Sequence, residues 1–144
     1  MNRRDFLSLS AAVTLAAPFA LRPGAAQAAP MLEYAPGLIE QRLAKGEVLL
    51  VDYHAVWCTT CAAQSRAIQA LQAENPAYEQ RVTFIRVDWD TYWNQPVTTA
   101  RNVPRRSTLL VLKGDQELGR IVAGTSKAKI KALLDTALAA AGVA

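Results

Sequence analysis

A chain of 144 residues has room for one domain with a single core. Its formal net charge of +4 does not mark a nucleic-acid binder. Arg3, Arg4 and Arg22 lie near the N-terminus, and Lys127, Lys129 and Lys131 are spaced as the solvated face of a helix. The two cysteines and one histidine fall short of a four-ligand zinc site within one chain.

The N-terminus reads as an address rather than as part of the fold. Asn2-Arg3-Arg4-Asp5-Phe6-Leu7 precedes a mildly apolar stretch from Ser8 to Leu21, then Arg22-Pro23-Gly24 and a small-residue run from Ala25 to Ala29. Ala26-Gln27-Ala28 fits a signal-peptidase site. Paired arginines followed by Phe-Leu resemble a twin-arginine export signal, and the modest apolarity and Arg22 fit that route. An ordinary secretory signal is the alternative. The apolar run is short of the roughly 20 residues that a membrane span needs, and no later segment has the length and apolarity to span. Residues 1–28 are therefore expected to be a cleaved signal and residues 29–144 the folded domain. The expected location is the periplasm, with no stable membrane anchor after cleavage.

Along the domain, Leu38 to Lys45 suits a short amphipathic helix ended by Gly46. Val48-Leu49-Leu50-Val51-Asp52-Tyr53 is a near-continuous apolar run, as in a strand covered on both faces. Thr59 to Glu74 lacks Gly and Pro and predicts a long helix stopped before Pro76. Arg81 to Asp88 predicts a second strand. Asp90 to Asn102 is an aromatic and polar connection containing a short helix. Ser107 to Leu112 predicts a third strand, turned by Lys113-Gly114-Asp115-Gln116 into a fourth, Glu117 to Ala123. Gly124 breaks it, and Ser126 caps a final helix, Lys127 to Ala140, with Ile130, Leu133, Leu134 and Leu138 on one face. The order gives two parallel strand–helix units, an antiparallel hairpin and a closing helix.

Both cysteines fall in Trp57-Cys58-Thr59-Thr60-Cys61, where the first long strand gives way to the long helix. A bridge between cysteines two residues apart closes almost no loop and restrains the unfolded chain little. A redox role explains the pair better than a structural staple. A helix starting at Cys58 places both sulfurs near its first turn, where the helix end stabilises a thiolate at Cys58. That thiolate is the attacking species in disulfide exchange, and Cys61 is placed to resolve the mixed disulfide. Metal binding through the thiols is the alternative.

Val51-Asp52-Tyr53-His54-Ala55-Val56-Trp57-Cys58-Thr59-Thr60-Cys61, Thr108-Leu109-Leu110-Val111-Leu112-Lys113-Gly114 and the helix after Gly124 resemble the thioredoxin superfamily, in the same order, from about Glu33 to Ala140. The resemblance implies an α/β fold, a thioredoxin-like three-layer sandwich with a central mixed sheet of four to five strands and helices on both faces. It implies an exposed nucleophile at Cys58, a buried resolving thiol at Cys61, and a buried acid at Asp52 that handles protons for Cys61. Trp57 matches the tryptophan that shields the site. Asp52 as a hydrogen-bonded buried group, and Trp57 as simple core packing, are the plainer readings.

Three departures stand out. Thr59-Thr60 replaces the dipeptides common in the family, so the helix end and nearby charges must set the thiol acidity. His54 stands where the family often has an aromatic; it shares a face with Asp52, opposite Tyr53, and either tunes the thiols or packs at the surface. The family's cis-proline position, just before Thr108, is taken by Ser107, unless Pro104, three residues earlier, is that proline and a short insertion follows. A cis Arg106–Ser107 bond costs roughly 3–4 kcal/mol; a trans bond reshapes the loop facing Cys58. Arg105 and Arg106 on that loop either stabilise the Cys58 thiolate or face solvent. With Trp57, Tyr92 and Trp93 they form a candidate substrate platform, unless Tyr92 and Trp93 pack over the core.

The expected function is thiol–disulfide exchange on protein substrates with thiols or disulfides, in the reducing direction, by a monomer. No bound cofactor is expected beyond the Cys58–Cys61 disulfide, and a membrane thiol-electron carrier is the expected reductant. The alternatives are a thiol oxidase or isomerase, and a metal-binding or metal-delivery module using Cys58, Cys61 and His54.

Overall fold

The strand Val48–His54 carries the architecture, because it is covered on both faces. The computed structural model describes residues 30–142. The proposed signal and its cleavage site lie outside the described residues. In chain order the elements are β1 (Leu32–Glu33), α1 (Leu38–Ala44), β2 (Val48–His54), α2 (Thr59–Glu74), α3 (Ala77–Arg81), β3 (Val82–Asp88), α4 (Trp89–Tyr92), α5 (Pro96–Thr99), β4 (Thr108–Lys113), β5 (Gln116–Val122) and α6 (Lys127–Ala140). They form one five-stranded sheet of order β1-β3-β2-β4-β5. β2 runs parallel to β3 and antiparallel to β4, and β5 closes the hairpin. The sheet is mixed and helices lie on both faces, as expected.

Alternation along β2 divides the core in two. Val48 and Leu50 pack with Ile68 and Leu71 of α2 and Ile130 and Leu134 of α6. Leu49, Val51 and Tyr53 pack with Ile39 of α1, Val97 of α5 and Val103. Tyr53 brings a polar tip into the second cluster, and its hydroxyl donates to the Val97 carbonyl at 2.5 Å. By the same alternation Asp52 and His54 fall on the α2 side.

The C-terminal elements close the first cluster. Gly114 and Asp115 make the two-residue turn between β4 and β5, with Gly114 at φ 57°. The β4–β5 register slips between Val111 and Leu112. Beyond the slip, Gly119 faces α6 so closely that a Cβ would stand 2.7 Å from Leu133 Cδ1. Ser126 caps α6, its hydroxyl accepting from the Lys129 N–H.

Three local features depart from expectation. Pro76 does stop α2, but its φ of −60° also starts a new turn of helix, α3. The connection after β3 holds two short helices rather than one, with Pro96 opening the second. β1 is a two-residue exposed edge strand paired to β3, too short to leave a periodic signal.

Leu134 is fully buried on α6 between helix and sheet. Leu134→Ala is expected to cost about 2–5 kcal/mol of stability, read as a lower urea midpoint with an unchanged slope. A loss within about 0.5 kcal/mol, the range of surface substitutions, would contradict this packing.

Candidate active site

Cys58 is the residue where strand geometry ends and helix geometry begins. The chain leaves β2 at His54 and turns through Ala55, Val56 and Trp57, with the Cys58 N–H donating to the Ala55 carbonyl at 3.1 Å. Cys58 itself is extended (φ −90°, ψ 113°), and its carbonyl accepts the first helical bond, from Ala62 N at 3.0 Å. Its sulfur accepts the Cys61 N–H at 3.2 Å, the place that a serine or aspartate oxygen takes at other helix starts. Both thiols are free. Cys61 is fully buried, and Cys58 is only 6% exposed. That is a narrower opening than an exposed nucleophile implies, because Ser107 lies against the sulfur and Ala55 and Trp89 pack with the thiol pair.

Ser107 faces both sulfurs. Its Oγ stands 3.1 Å from Cys58 Sγ and 3.0 Å from Cys61 Sγ, and the residue is fully buried. The backbone there is left-handed, with φ 62°, and no peptide bond among the described residues is cis. Ser107 thus takes the place facing the thiols with a trans bond, while Pro104 stays exposed upstream. Three groups hold the strained residue. Its N–H donates to Tyr53 O at 2.7 Å, and its carbonyl accepts from Ala123 N at 2.8 Å and from Gln64 Nε2 at 3.0 Å. Gln64 also donates to Gly124 O at 2.9 Å, tying α2 to both loops. Thr108 is buried beside it, its hydroxyl donating to Arg105 O at 2.8 Å.

The two thiols are set apart in acidity. Burial pushes Cys58 up, but hydrogen bonds from the Cys61 thiol, the Ser107 hydroxyl, the Cys61 N–H and Arg106 outweigh it and bring Cys58 down to about 7. Burial pushes Cys61 up, and the neighbouring Cys58 sulfur adds to the rise. Cys58 is therefore the thiol that gives up its proton first, with a midpoint of about 7, while Cys61 keeps its own.

Asp52 lies on the α2 side of β2 among charged neighbours. Strand register pairs Asp52 with Arg86 and His54 with Asp88, so all four side chains share the α2 face. Asp52 is fully buried, with Oδ2 at 3.5 Å from both His54 Nδ1 and Arg86 Nε. Those are ion-pair distances but too long for hydrogen bonds, and neither Asp52 oxygen has a hydrogen-bond partner among the described residues. Arg86 reaches instead to Ser65 Oγ at 3.2 Å. His54 thus faces Asp52. Among the described residues no group of three or more His, Cys, Asp or Glu side chains is arranged to hold a metal ion.

At the rim Trp57 is 57% exposed rather than packed in the core. Its Nε1 donates to Asp90 Oδ2 at 2.8 Å, and Arg106 Cζ lies 4.2 Å from its ring centroid. The stack fixes both side chains beside Cys58. Trp93 is also exposed, whereas Tyr92 packs edge-on to Tyr34 at 4.9 Å in the second core cluster. Tyr92 therefore leaves the candidate platform. Gln64 and Arg86 were not anticipated. A glutamine three residues after Cys61 shares its helix face, and a lone arginine inside Val82–Asp88 interrupts an apolar strand; those were the available signals.

The thioredoxin family model matches residues 33–136. A thioredoxin from Echinococcus granulosus is 34% identical over 91 residues, covering 62% of this chain and 78% of that protein. Among solved structures, Trxlp from Edwardsiella tarda has a TM-score of 0.63 at 30% identity, over 72% of this chain and 97% of its own. Thioredoxin from Trypanosoma brucei brucei has a TM-score of 0.61 at 20% identity, over 76% of this chain and 92% of its own, a likeness of fold alone. Matches of that extent, around two thiols that meet at a helix start, make this chain a member of the thioredoxin family of thiol–disulfide oxidoreductases.

Proposed function

We propose that this protein is a periplasmic disulfide reductase, a monomer that acts on protein substrates without a bound cofactor. The observation that carries the reading is the Cys58 thiol at about 7, capping a helix beside a protonated Cys61. A thiolate at that value is available at neutral pH and still a good nucleophile, since nucleophilicity falls as acidity rises. Cys58 attacks the substrate disulfide, forming a mixed disulfide and releasing one substrate thiolate. Cys61 then attacks Cys58 and releases the second substrate sulfur. Two electrons pass from the dithiol to the substrate. Asp52, buried against Arg86 and His54, is the acid we assign to the second step. Trp57 and Arg106 shape the face on which the substrate docks, and the buried Ser107 and Thr108 form the loop behind it.

Support for the location comes from the paired arginines and the Ala26-Gln27-Ala28 site in the sequence. An exported reductant draws electrons from the cytoplasm, so a membrane thiol-electron carrier is its proposed reductant. One observation favours a thiol oxidase or isomerase instead. Arg106 adds to the stabilisation of the Cys58 thiolate, and stabilising the reduced form makes the disulfide more oxidising.

Two measurements bear on the mechanism. Cys61→Ser is expected to accumulate mixed disulfides through Cys58 in periplasmic extracts, while Cys58→Ser loses peptide-disulfide reduction to background. An absence of trapped partners with Cys61→Ser would count against exchange. Second, the alkylation rate of reduced protein is expected to rise with pH and level off, with a midpoint near 7. Below that pH Cys58 is a thiol and unreactive; above it the thiolate dominates. A single midpoint near the ordinary cysteine value, about 8.5, would contradict the site geometry.

A further inference from the structure

The Ser107 hydroxyl is a polar group in a place where disulfide chemistry moves a proton. It is fully buried and lies within hydrogen-bond reach of both active sulfurs, at 3.1 Å from Cys58 and 3.0 Å from Cys61. A hydroxyl has one proton to give and lone pairs to accept with. It can therefore donate to one sulfur while accepting from the other, but it cannot donate to both. The backbone around it is pinned on both sides, by Tyr53 O at the N–H and by Gln64 and Ala123 at the carbonyl. The hydroxyl is thus held in place rather than passing through.

We propose that Ser107 is a proton relay between the two thiols. This rests on the exchange reading given above and adds a residue to it. In the reduced protein the Ser107 hydroxyl donates to the Cys58 thiolate. Once Cys58 is joined to a substrate sulfur, it is no longer an anionic acceptor. The Cys61 thiol is then left with Ser107 Oγ as its acceptor, because neither oxygen of Asp52 is hydrogen-bonded to it. In the resolving step a bond forms between Cys61 Sγ and Cys58 Sγ. The bond from Cys58 Sγ to the substrate sulfur breaks, and its electron pair leaves with that sulfur. The Cys61 proton passes to Ser107 Oγ, and the proton that Ser107 held goes to the departing sulfur, one S–S bond of about 2 Å beyond Cys58. Cys58 and Cys61 are oxidised, the substrate disulfide is reduced, and Ser107 ends as it began. The substrate thiolate released in the first step takes its proton from solvent.

The test uses the full chain with Ser107→Ala and Ser107→Gly. Serine already carries a Cβ at positive φ, so alanine adds no new strain; if it fails to fold, glycine adopts that backbone freely and carries the test. Two mixed disulfides are prepared on Cys58, and resolution by Cys61 is timed in a single turnover. One carries an alkyl thiol, glutathione, whose less acidic sulfur is the poorer leaving group as an anion and gains most from a proton delivered as it departs. The other carries a nitrothiobenzoate, which leaves as a stable anion. Removing the hydroxyl is expected to slow the glutathione step about 100-fold, the lower range for proton transfer by a positioned group. The nitrothiobenzoate step is expected to slow much less, and the alkylation midpoint of Cys58 to move upward. Wild-type rates for both adducts in the variants would overturn the relay and leave the exchange reading standing. Equal slowing of both adducts would also overturn it, since a structural role does not distinguish leaving groups. If the wild-type chain itself fails to resolve either adduct, the exchange reading falls and the relay falls with it.

Discussion

A strand buried on both faces has no freedom of register, since a one-residue slip would turn every side chain to the wrong side. In β2 this constraint falls on seven residues at once. Leu49, Val51 and Tyr53 are claimed by the cluster under α1 and α5, while Val48 and Leu50 are claimed by α2 and α6. Asp52 and His54 are therefore carried to the α2 side, against Arg86. The strand's end is fixed as well, so Cys58 arrives at the first turn of a 16-residue helix whose inner face is already packed. The neighbouring strands obey the same frame. Tyr53 in β2 supplies the carbonyl that holds Ser107, and its ring belongs to the second core cluster. Packing and chemistry meet in one residue there.

From that frame the site takes an asymmetric form. Two thiols of one residue type, three positions apart, are driven in opposite directions. Cys58 collects donors at the helix start and on the Ser107 loop. Cys61, one turn in and wholly buried, collects none that compensate for its loss of water. The separation follows from position along one helix, and no imidazole or proline between the cysteines is needed for it. The rim is held differently. Trp57 is exposed, yet fixed between Asp90 and Arg106. An exposed aromatic held on two sides is a preorganised contact surface, with little side-chain freedom left to lose on binding.

Much of this was legible in the residues. β2 and α2 could be read because an unbroken apolar run and a Gly- and Pro-free stretch each have one good physical solution. The hairpin was marked by Gly114 and Asp115, and α6 by Ser126 and its apolar face. What escaped reading was set by tertiary contacts. Nothing local to Ser107 announces a left-handed backbone; three hydrogen bonds from β2, α2 and the residue after β5 impose it. Gln64 and Arg86 looked like ordinary polar residues until the fold buried or half-buried them beside the site. For Tyr92 the residues leave substrate platform and core packing equally open, and Tyr34, from the segment after β1, claims its ring. Pro76 ends α2, and its fixed φ serves equally as a start.

The direction of electron flow is the centre of the functional account, and the equilibrium reduction potential of the Cys58–Cys61 pair tests it most directly. Thiolate stability and potential are linked, because whatever stabilises the reduced form makes the disulfide a stronger oxidant. Thioredoxin has its attacking cysteine at about 7, and the strong disulfide donors have theirs at about 3.5; Cys58, at about 7, stands with the former. Titration of the pair against a dithiothreitol or glutathione series is therefore predicted to give a value near about −270 mV. A value near about −120 mV, that of a strong oxidant, would contradict the account and reverse the direction of electron flow.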